Sequence, residues 1–477
     1  MTLASKIAYN TIISTMGRVI GVALSLVSIG FIARYLGQEG FGSYALVLAF
    51  LSIFNILADF GLYSLMIREI SRPGVDEKKI VSNIFTLRII VLLVFLSLAF
   101  IAVWFFPYAK QVKIGVAIGA ASFLFLSASQ VLMGIFQKYL RTDKAALAEV
   151  LGRVVQLGLV VSFIHLDFGF FSILVALIIS AVLIFILNFF FARRYVPLTL
   201  AFDFSYWKKL LKAALPIAAS IVLILIYFKI DSIFLSLGFI NRSSVNPISD
   251  VGIYSIAYKV LEGLIFFPAM FVGLIMPLLS KYAFSKPEQF KKIFQKTLDM
   301  LIIFIVPLII GLLILSLPLV VLIGGKEFNA SALVLQILSI AIGLIFLGNL
   351  FGCSIIALNK QKTGAWIYFG GMVFNVIANL IFIPRYSYLG AAATTVFTEL
   401  LVTSLMLVLI WKTISYFPSF KIIFKTLFAG LIMGAVICYF QAWNLFLLIG
   451  LGAVIYIGVL YLIKGITKEE ILMLVRR

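Results

Sequence analysis

Apolar runs of twenty or more residues recur along the whole chain, separated by short polar breaks. About 20 apolar residues are enough for a helix to cross a hydrocarbon core of about 30 Å. The chain is 64% hydrophobic and 12% charged, with a mean hydropathy of +1.20, far from the composition of soluble globular proteins. The pattern predicts an all-α polytopic membrane protein and leaves no stretch for a soluble domain.

We place fourteen transmembrane spans along the 477 residues. The spans are 11–33, 41–67, 81–106, 114–137, 146–166, 168–192, 210–238, 250–280, 297–324, 331–358, 363–383, 388–411, 421–440 and 443–463. An even number of spans puts both termini on one side, and that side carries 27 Lys and Arg outside the spans against 6 on the other. By the positive-inside rule, both termini are predicted to be cytoplasmic. The first run is long and has no small-residue cleavage site, so we interpret it as a retained span.

Other classes of protein are disfavoured by what the chain contains. The net charge of +20 follows the membrane sides, so we do not predict nucleic acid as a partner. Cys353 and Cys438 lie in apolar segments, and no cluster of His, Cys and carboxylates predicts a metal or cofactor. The longest external loop, 239–249, holds no carboxylate and there is no nucleophile motif, so an enzyme is not expected.

Five basic residues fall inside the predicted spans. A charge at that depth costs about 2.5 to 3.5 kcal/mol and is a functional-site hypothesis by default. Arg18, Arg88 and Arg153 each lie about seven residues from the cytoplasmic start of their span, so they are predicted to share one level about 10 Å deep. Lys229 and Lys259 are predicted to form a second cationic level nearer the outside.

Four carboxylates lie well inside the spans and are candidates for binding a coupling ion or for pairing with the buried cations. They are Asp59, Asp231, Glu262 and Glu399. Pairing is the favoured role. Asp59 reaches the level of the arginines, and Glu262 follows Lys259 at i+3 on the same helix face. The alternative to a substrate role is therefore that Arg88 pairs with Asp59 and Arg153 with Glu149.

An internal repeat divides the chain. Phe41-Gly42-Ser43-Tyr44 recurs as Val251-Gly252-Ile253-Tyr254 at an offset of 210, and a second weak match has an offset of 218. The matches predict two six-helix lobes, 1–194 and 195–415, with spans 13 and 14 appended in 416–477. Parallel repeats with a site at their interface are a plan of transporters.

The order and spacing of several short motifs resemble the polysaccharide-transport flippases of the Wzx or O-antigen translocase type. That superfamily also holds the lipid II flippases and the multidrug exporters called MATE. The motifs are Arg34-Tyr35-Leu36-Gly37, Gly40-Phe41-Gly42-Ser43-Tyr44, Leu57-Ala58-Asp59-Phe60-Gly61-Leu62, Pro216 with Asp231, Val251-Gly252-Ile253-Tyr254 into Pro268, and Pro384-Arg385-Tyr386 through Gly390-Ala391-Ala392 to Glu399. The resemblance covers essentially the whole chain.

The resemblance implies a V-shaped, MATE-like bundle of two lobes. Such a protein moves a polyprenyl-diphosphate-linked saccharide from the cytoplasmic to the outer leaflet of the cell membrane by alternating access. The implied partners are the lipid-linked saccharide, membrane lipids and assembly proteins such as a polysaccharide polymerase. The two appended spans are similar to those of the lipid II flippases, where they help to form a groove for the lipid tail.

An anionic diphosphate at membrane depth explains the buried cations. Arginine suits it because the planar guanidinium makes bidentate contacts with phosphate oxygens and stays charged at physiological pH. We therefore predict a head-group site at Arg18, Arg88 and Arg153, with outer contacts at Lys229 and Lys259. A multidrug exporter would instead need unpaired carboxylates for cationic drugs. A lipid II flippase would share the arginines, and only the style of the motifs disfavours it.

Overall fold

A computed structural model describes residues 3–72 and 74–466, without the side chains of 3–9, 11–12, 64, 213 and 216–227. The side chain of Pro216 therefore lies outside the described residues. The regular secondary structure found in those ranges is helical throughout, so the predicted all-α class is confirmed there. The helices are α1 (Leu3–Asp59), α2 (Leu62–Ile70), α3 (Glu77–Val103), α4 (Lys110–Lys138), α5 (Thr142–His165), α6 (Phe170–Ala192), α7 (Phe204–Ser236), α8 (Pro247–Ser285), α9 (Pro287–Gly324), α10 (Ser331–Ala357), α11 (Gln361–Ile414), α12 (Ile422–Tyr439) and α13 (Leu445–Leu462), with a short 3-10 helix at Lys326–Phe328.

These helices follow the order of the predicted spans. In the described ranges, eleven helices are long and apolar enough to cross a membrane. Two of them each carry two predicted spans, because α1 breaks at Gly37 (φ 66°) and α11 breaks at Ser387 (φ 47°). Helix α7 occupies the position of the seventh span. The multi-pass membrane organisation is therefore confirmed, and both breaks fall where the sequence places a loop.

The second predicted span, 41–67, is wrong as a continuous helix. Helix α1 ends at Asp59, and α2 begins at Leu62. Between them Phe60 (φ 45°) and Gly61 (φ 68°) adopt the left-handed conformation, which a glycine accepts without a Cβ penalty. The bend places Asp59 at the end of a helix rather than within one.

The chain divides into two compact units, Met1–Gly252 and Ile253–Arg477. In the first unit, α1 packs against α3, α4, α5, α6 and α7, while α4 and α5 also pack against α6. A core of buried residues, among them Leu65, Phe136 and Trp207, joins α2, α3, α4 and the start of α7. The lobe boundary at 194/195 stays a prediction.

The segment that joins α6 to α7 is fixed along α3 by side-chain hydrogen bonds. Asn83 Oδ1 accepts from the backbone N–H of Asp203 at 3.2 Å and from the indole Nε1 of Trp207 at 2.9 Å. Thr86 Oγ1 accepts from the backbone N–H of Ala201 at 3.0 Å. The start of α7 is therefore held on the first turns of α3.

In the second unit, α10 packs against α9 and α11, and α12 and α13 pack against α9. The buried side chains of Leu315, Met433 and Leu448 form a core between α9, α12 and α13. The hydroxyl of Tyr456 in α13 donates to the carbonyl oxygen of Ile303 in α9 at 2.8 Å. The two helices appended in sequence are therefore packed into this unit.

Two glycines allow α1 and α8 to cross with their backbones in contact. A Cβ at Gly42 would overlap the carbonyl oxygen of Ile248, and a Cβ at Gly252 would overlap that of Gln38. Both pairs of equivalent residues, 38 with 248 and 42 with 252, are separated by the repeat offset of 210. The contact has a local two-fold pattern in which residue i meets j and j meets i. The repeat read in the sequence is thus expressed as a contact between its own equivalents.

We expect Gly42→Ala and Gly252→Ala each to lower the free energy of unfolding by about 1 to 3 kcal/mol, because the added methyl meets a backbone carbonyl that cannot rotate away. Gly273→Ala is the matched control, since it lies in α8 with no atom within 4 Å of the added Cβ. Thermal unfolding in detergent measures all three variants. Equal stability of Gly42→Ala and Gly273→Ala would contradict the backbone contact.

The start of α7 predicts a dependence of stability on pH. The backbone N–H of Tyr206 donates to Asp203 Oδ1 at 3.0 Å, and Lys79 Nζ lies 3.3 Å from Asp203 Oδ2. These contacts lower the pKa of Asp203. A carboxyl whose folded pKa is lowered stabilises the fold above its unfolded pKa of about 3.9, and that stability is lost as the pH falls through the folded pKa.

The variant Asp203→Asn keeps a side-chain oxygen at the helix start but cannot titrate. We expect the wild type to be the more stable protein near pH 6 and the difference to shrink at pH values below about 3.9. Thermal unfolding of both proteins over this range makes the comparison. A difference that does not change with pH would mean that Asp203 has an ordinary pKa in the folded protein.

Candidate functional site

Arg88 lies inside the first unit with no exposed surface. Its guanidinium forms an ion pair with Asp59 through Nη1. Ser127 Oγ accepts from Nε at 3.2 Å and from Nη2 at 2.6 Å, and Gln130 Oε1 accepts from Nη2 at 3.2 Å. All three nitrogens of Arg88 therefore donate to protein groups, and Asp59 is its partner in the ion pair, as the alternative interpretation of the sequence expected. The place of Arg88 in a substrate site stays a prediction.

Helix α1 packs closely and in parallel on α5. Ser14 Oγ donates to Thr142 Oγ1 at 2.6 Å, and a Cβ at Gly17 would lie 2.7 Å from that of Ala146. One turn further, Gly21 lies beside the carboxylate of Glu149. Small residues four apart allow this approach, as in other membrane helix pairs.

Arg18 is exposed on a different side of α1 from the apolar residues that face outward. Met16 and Ile20 are 57% and 44% exposed, and on a helical projection both lie on the side of α1 opposite Arg18. The exposed cation therefore lies on the side of α1 opposite these apolar residues. Tyr63, at the start of α2, accepts a hydrogen bond from Gln137 Nε2 at 2.7 Å.

The predicted common level of the three arginines is wrong for Arg153. In the packed pair, residue 14 of α1 lies opposite 142 and residue 17 opposite 146, so Arg153 lies level with about residue 25. That is about seven residues beyond Arg18, or about 10 Å at 1.5 Å per residue. The prediction failed because the distance of a residue from its predicted span start does not fix the register between two helices, which the contact of Gly17 with Ala146 sets here.

Arg153 has a partly satisfied guanidinium. Its Nη1 donates to Gln156 Oε1 at 3.1 Å. Its Nε is buried and has no hydrogen-bond acceptor among the described residues. An incoming acceptor would therefore find an unused donor at this depth.

The remaining predicted residues lie in both units. In the first unit, Lys229 is half-buried and Asp231 is 1% exposed. In the second unit, Lys259 Nζ lies 2.6 Å from Glu262 Oε2, so the expected local pair is confirmed. Glu399 is 4% exposed on α11. No group of three His, Cys, Asp or Glu that could hold a metal occurs among the described residues.

Three uncharged side chains of α4 that bind polar groups of α2 and α3 were not among the predicted site residues. Ser127, Gln130 and Gln137 lie on one face of α4, at spacings of three and seven residues, and each reaches a polar group of α2 or α3. A stripe of hydroxyls and amides at helical spacing could have revealed them. Because these side chains carry no charge, the pattern of intramembrane charges does not reveal them.

The profile of the family described as "Polysaccharide biosynthesis protein" matches residues 7–283, more than half of the chain. The chain belongs to this family. It is 24% identical over 396 residues to a probable low-salt glycan biosynthesis flippase, Agl15 of Haloferax volcanii, covering 80% of this chain and 78% of that protein. This agrees with the resemblance read from the motifs.

Two solved structures share the fold of this family member. The lipid II flippase MurJ, in an inward closed conformation, matches with a TM-score of 0.77 at 17% identity. The match covers 95% of this chain and 98% of the MurJ chain. An inward-facing multidrug resistance transporter of the MATE family has a TM-score of 0.69 at 15% identity, covering 85% and 98%. At these identities the likeness shows the fold alone, and the predicted MATE-like helical fold is confirmed.

The ion pair of Arg88 gives the site its first test. Asp59→Asn leaves a buried guanidinium without a counter-charge, and we expect it to lower the free energy of unfolding by about 3 to 5 kcal/mol. The double variant Asp59→Asn, Arg88→Met removes both charges and is expected to recover most of the loss. Chemical unfolding in detergent measures both variants.

A matched control is Glu69→Gln, which removes the carboxylate that pairs with Arg68 and Arg72, two arginines that are 52% and 58% exposed. Its effect is expected to stay within about 1 kcal/mol. If the double variant proved no more stable than Asp59→Asn alone, the ion pair would not be the main reason for the stability of this region.

Proposed function

We propose that this protein is a flippase. It carries a polyprenyl-diphosphate-linked oligosaccharide or polysaccharide repeat unit from the cytoplasmic to the outer leaflet of the cell membrane by alternating access, with both termini in the cytoplasm. It performs no chemistry on the substrate. Membership of the polysaccharide biosynthesis family and the similarity to a glycan biosynthesis flippase support this proposal.

The observation that carries the proposal is the contrast between two arginines of the first unit. Arg88 is fully buried and spends its donors on Asp59, Ser127 and Gln130. Arg18 is exposed on the polar side of α1. An exposed guanidinium at membrane depth suits a phosphate group, because it offers paired donors and a permanent charge.

Arg18 and Arg153 are offset by about 10 Å along the α1–α5 pair, so they lie at two depths of the first unit. We assign them successive contacts, first Arg18 and then Arg153, whose buried Nε has no acceptor among the described residues. Lys229 and Lys259 are proposed as later contacts nearer the outside. Arg88 is a positioning residue, because it fixes α3 against the end of α1.

The carboxylates favour this substrate over an organic cation. Asp59 is neutralised by Arg88, and Glu262 lies 2.6 Å from Lys259. An exporter of cationic drugs needs carboxylates whose charge is not already compensated in this way. We assign Asp231 and Glu399 as counter-ion or coupling-ion residues. A lipid II flippase has the same need for cations and stays the alternative.

The test is transport of a fluorescent polyprenyl-diphosphate oligosaccharide in proteoliposomes. We expect Arg18→Ala to lower the initial rate about tenfold or more, because a hydrogen bond to a charged group contributes about 1.5 to 3 kcal/mol. Arg18→Lys keeps the charge without the paired donors and should give an intermediate rate. Lys78→Ala, which removes an exposed lysine in the first turn of α3, should transport like the wild type.

Two further arms separate the alternatives. Lipid II offered in the same vesicles should move more slowly than the oligosaccharide lipid, and faster movement would assign the protein to peptidoglycan synthesis. A wild-type protein that moves neither lipid, but exports an organic cation against a sodium or proton gradient, would overturn the proposal.

A further inference from the structure

A cavity of about 480 Å³ lies at the first turns of α9 in the second unit. Helix α9 forms one side, and the end of α11, the start of α12 and the chain after α13 form the others. Its polar lining includes Glu288, Lys291, Lys292, Lys296 and Asp299, and its apolar lining includes Met300, Ile303 and Phe304. Charged and apolar groups therefore occupy opposite ends of one cavity along α9.

One side chain holds the wall of this cavity in place. Gln295 Oε1 accepts from the hydroxyl of Tyr416 and from the backbone N–H of Ser419, both at 2.8 Å. Gln295 Nε2 donates to the carbonyl oxygen of Ser419 and to Asp299 Oδ1, both at 2.8 Å. The linker between α11 and α12 is thus fixed to α9, and together they form the walls of a cavity that is partly open at its surface.

The charges of the lining indicate the charge of a ligand. Three lysines and two carboxylates give a net charge of +1. Glu288 Oε1 already lies 2.8 Å from Lys291 Nζ. This balance complements the single negative charge of a phosphodiester, whereas a diphosphate would leave excess negative charge beside Glu288 and Asp299. Basic cavities between membrane helices on the cytoplasmic side are typical sites for lipid head groups.

The apolar end of the cavity continues into a groove. Phe304, 43% exposed, lines both the cavity and a second space of about 420 Å³ bounded by apolar side chains. The groove is lined by Val260, Leu264, Pro307, Leu308, Gly311, Leu312, Leu315, Leu319, Met433, Ile437, Ile449, Gly452 and Ala453. A ligand that fits both ends is amphipathic, with a polar head and a long apolar tail.

We propose that this cavity binds one phosphodiester lipid of the surrounding bilayer. Its phosphate lies among Lys291, Lys292 and Lys296, and an acyl chain lies along Met300, Ile303 and Phe304 toward the groove. The loop before α9 is on the side predicted to be cytoplasmic, so the lipid belongs to the inner leaflet. The bound lipid joins α9 to α12 and α13, and the proposal does not depend on what the protein transports.

Native mass spectrometry of the full-length protein titrated with dioleoyl phosphatidylglycerol tests this site. We expect the triple variant Lys291→Ala, Lys292→Ala, Lys296→Ala to weaken binding of the first lipid about tenfold or more. The matched control is Lys208→Ala, Lys209→Ala, Lys212→Ala, which removes three exposed lysines from the start of α7 in the first unit. An equal loss of lipid affinity in both triple variants would mean that only the total charge of the protein matters, and it would overturn the proposed site.

Gln295→Leu keeps every charge but releases the wall, and we expect it to weaken binding several-fold while the thermal unfolding transition is retained. If the lysine triple variant and Gln295→Leu both bound the first lipid as tightly as the wild type, the proposal would be overturned. Inorganic phosphate at equal concentration should not displace the lipid, because it lacks a tail. Displacement by phosphate, or stronger binding of a polyprenyl diphosphate than of phosphatidylglycerol at these lysines, would overturn the assignment to a bilayer phosphodiester lipid.

Discussion

The close contact between α1 and α8 is the constraint on which the arrangement of the first unit depends. Gly42 and Gly252 let the two backbones meet where any side chain would separate them. Helix α1 also packs against five further helices of the unit, so its position is shared by all of them. Because the contact joins equivalent residues of the repeat, the same backbone contact is made twice, once from each helix.

Arg88 and Arg18 serve different purposes in the first unit. Arg88 is enclosed and satisfied by α1 and α4, so its charge stabilises the packing of three helices at the end of α1. Arg18, only two turns into the apolar run, keeps its guanidinium at a surface. The cost of placing a charge at this depth is offset by a counter-charge in the first case and by access to a polar surface in the second.

Local patterns predicted the features that depend on local chemistry. Hydropathy predicted the order of the spans, and the i+3 spacing predicted the pair of Lys259 with Glu262. The depth of Arg153 was not predictable in this way, because the register between α1 and α5 is decided by the contact of Gly17 with Ala146. The turn at Phe60 and Gly61 lies in a run that is apolar enough on average to cross a membrane despite Asp59, so hydropathy did not reveal it.

The attachment of the α6–α7 linker to α3 has a mechanical consequence. Asn83 holds the backbone of Asp203 and the indole of Trp207, and Arg88 lies five residues further along the same rigid helix. A displacement of the start of α7 would therefore move α3 with it, and with α3 the guanidinium that is paired with Asp59 at the end of α1. The hydrogen-bonded linker thus couples the position of α7 to that of α3.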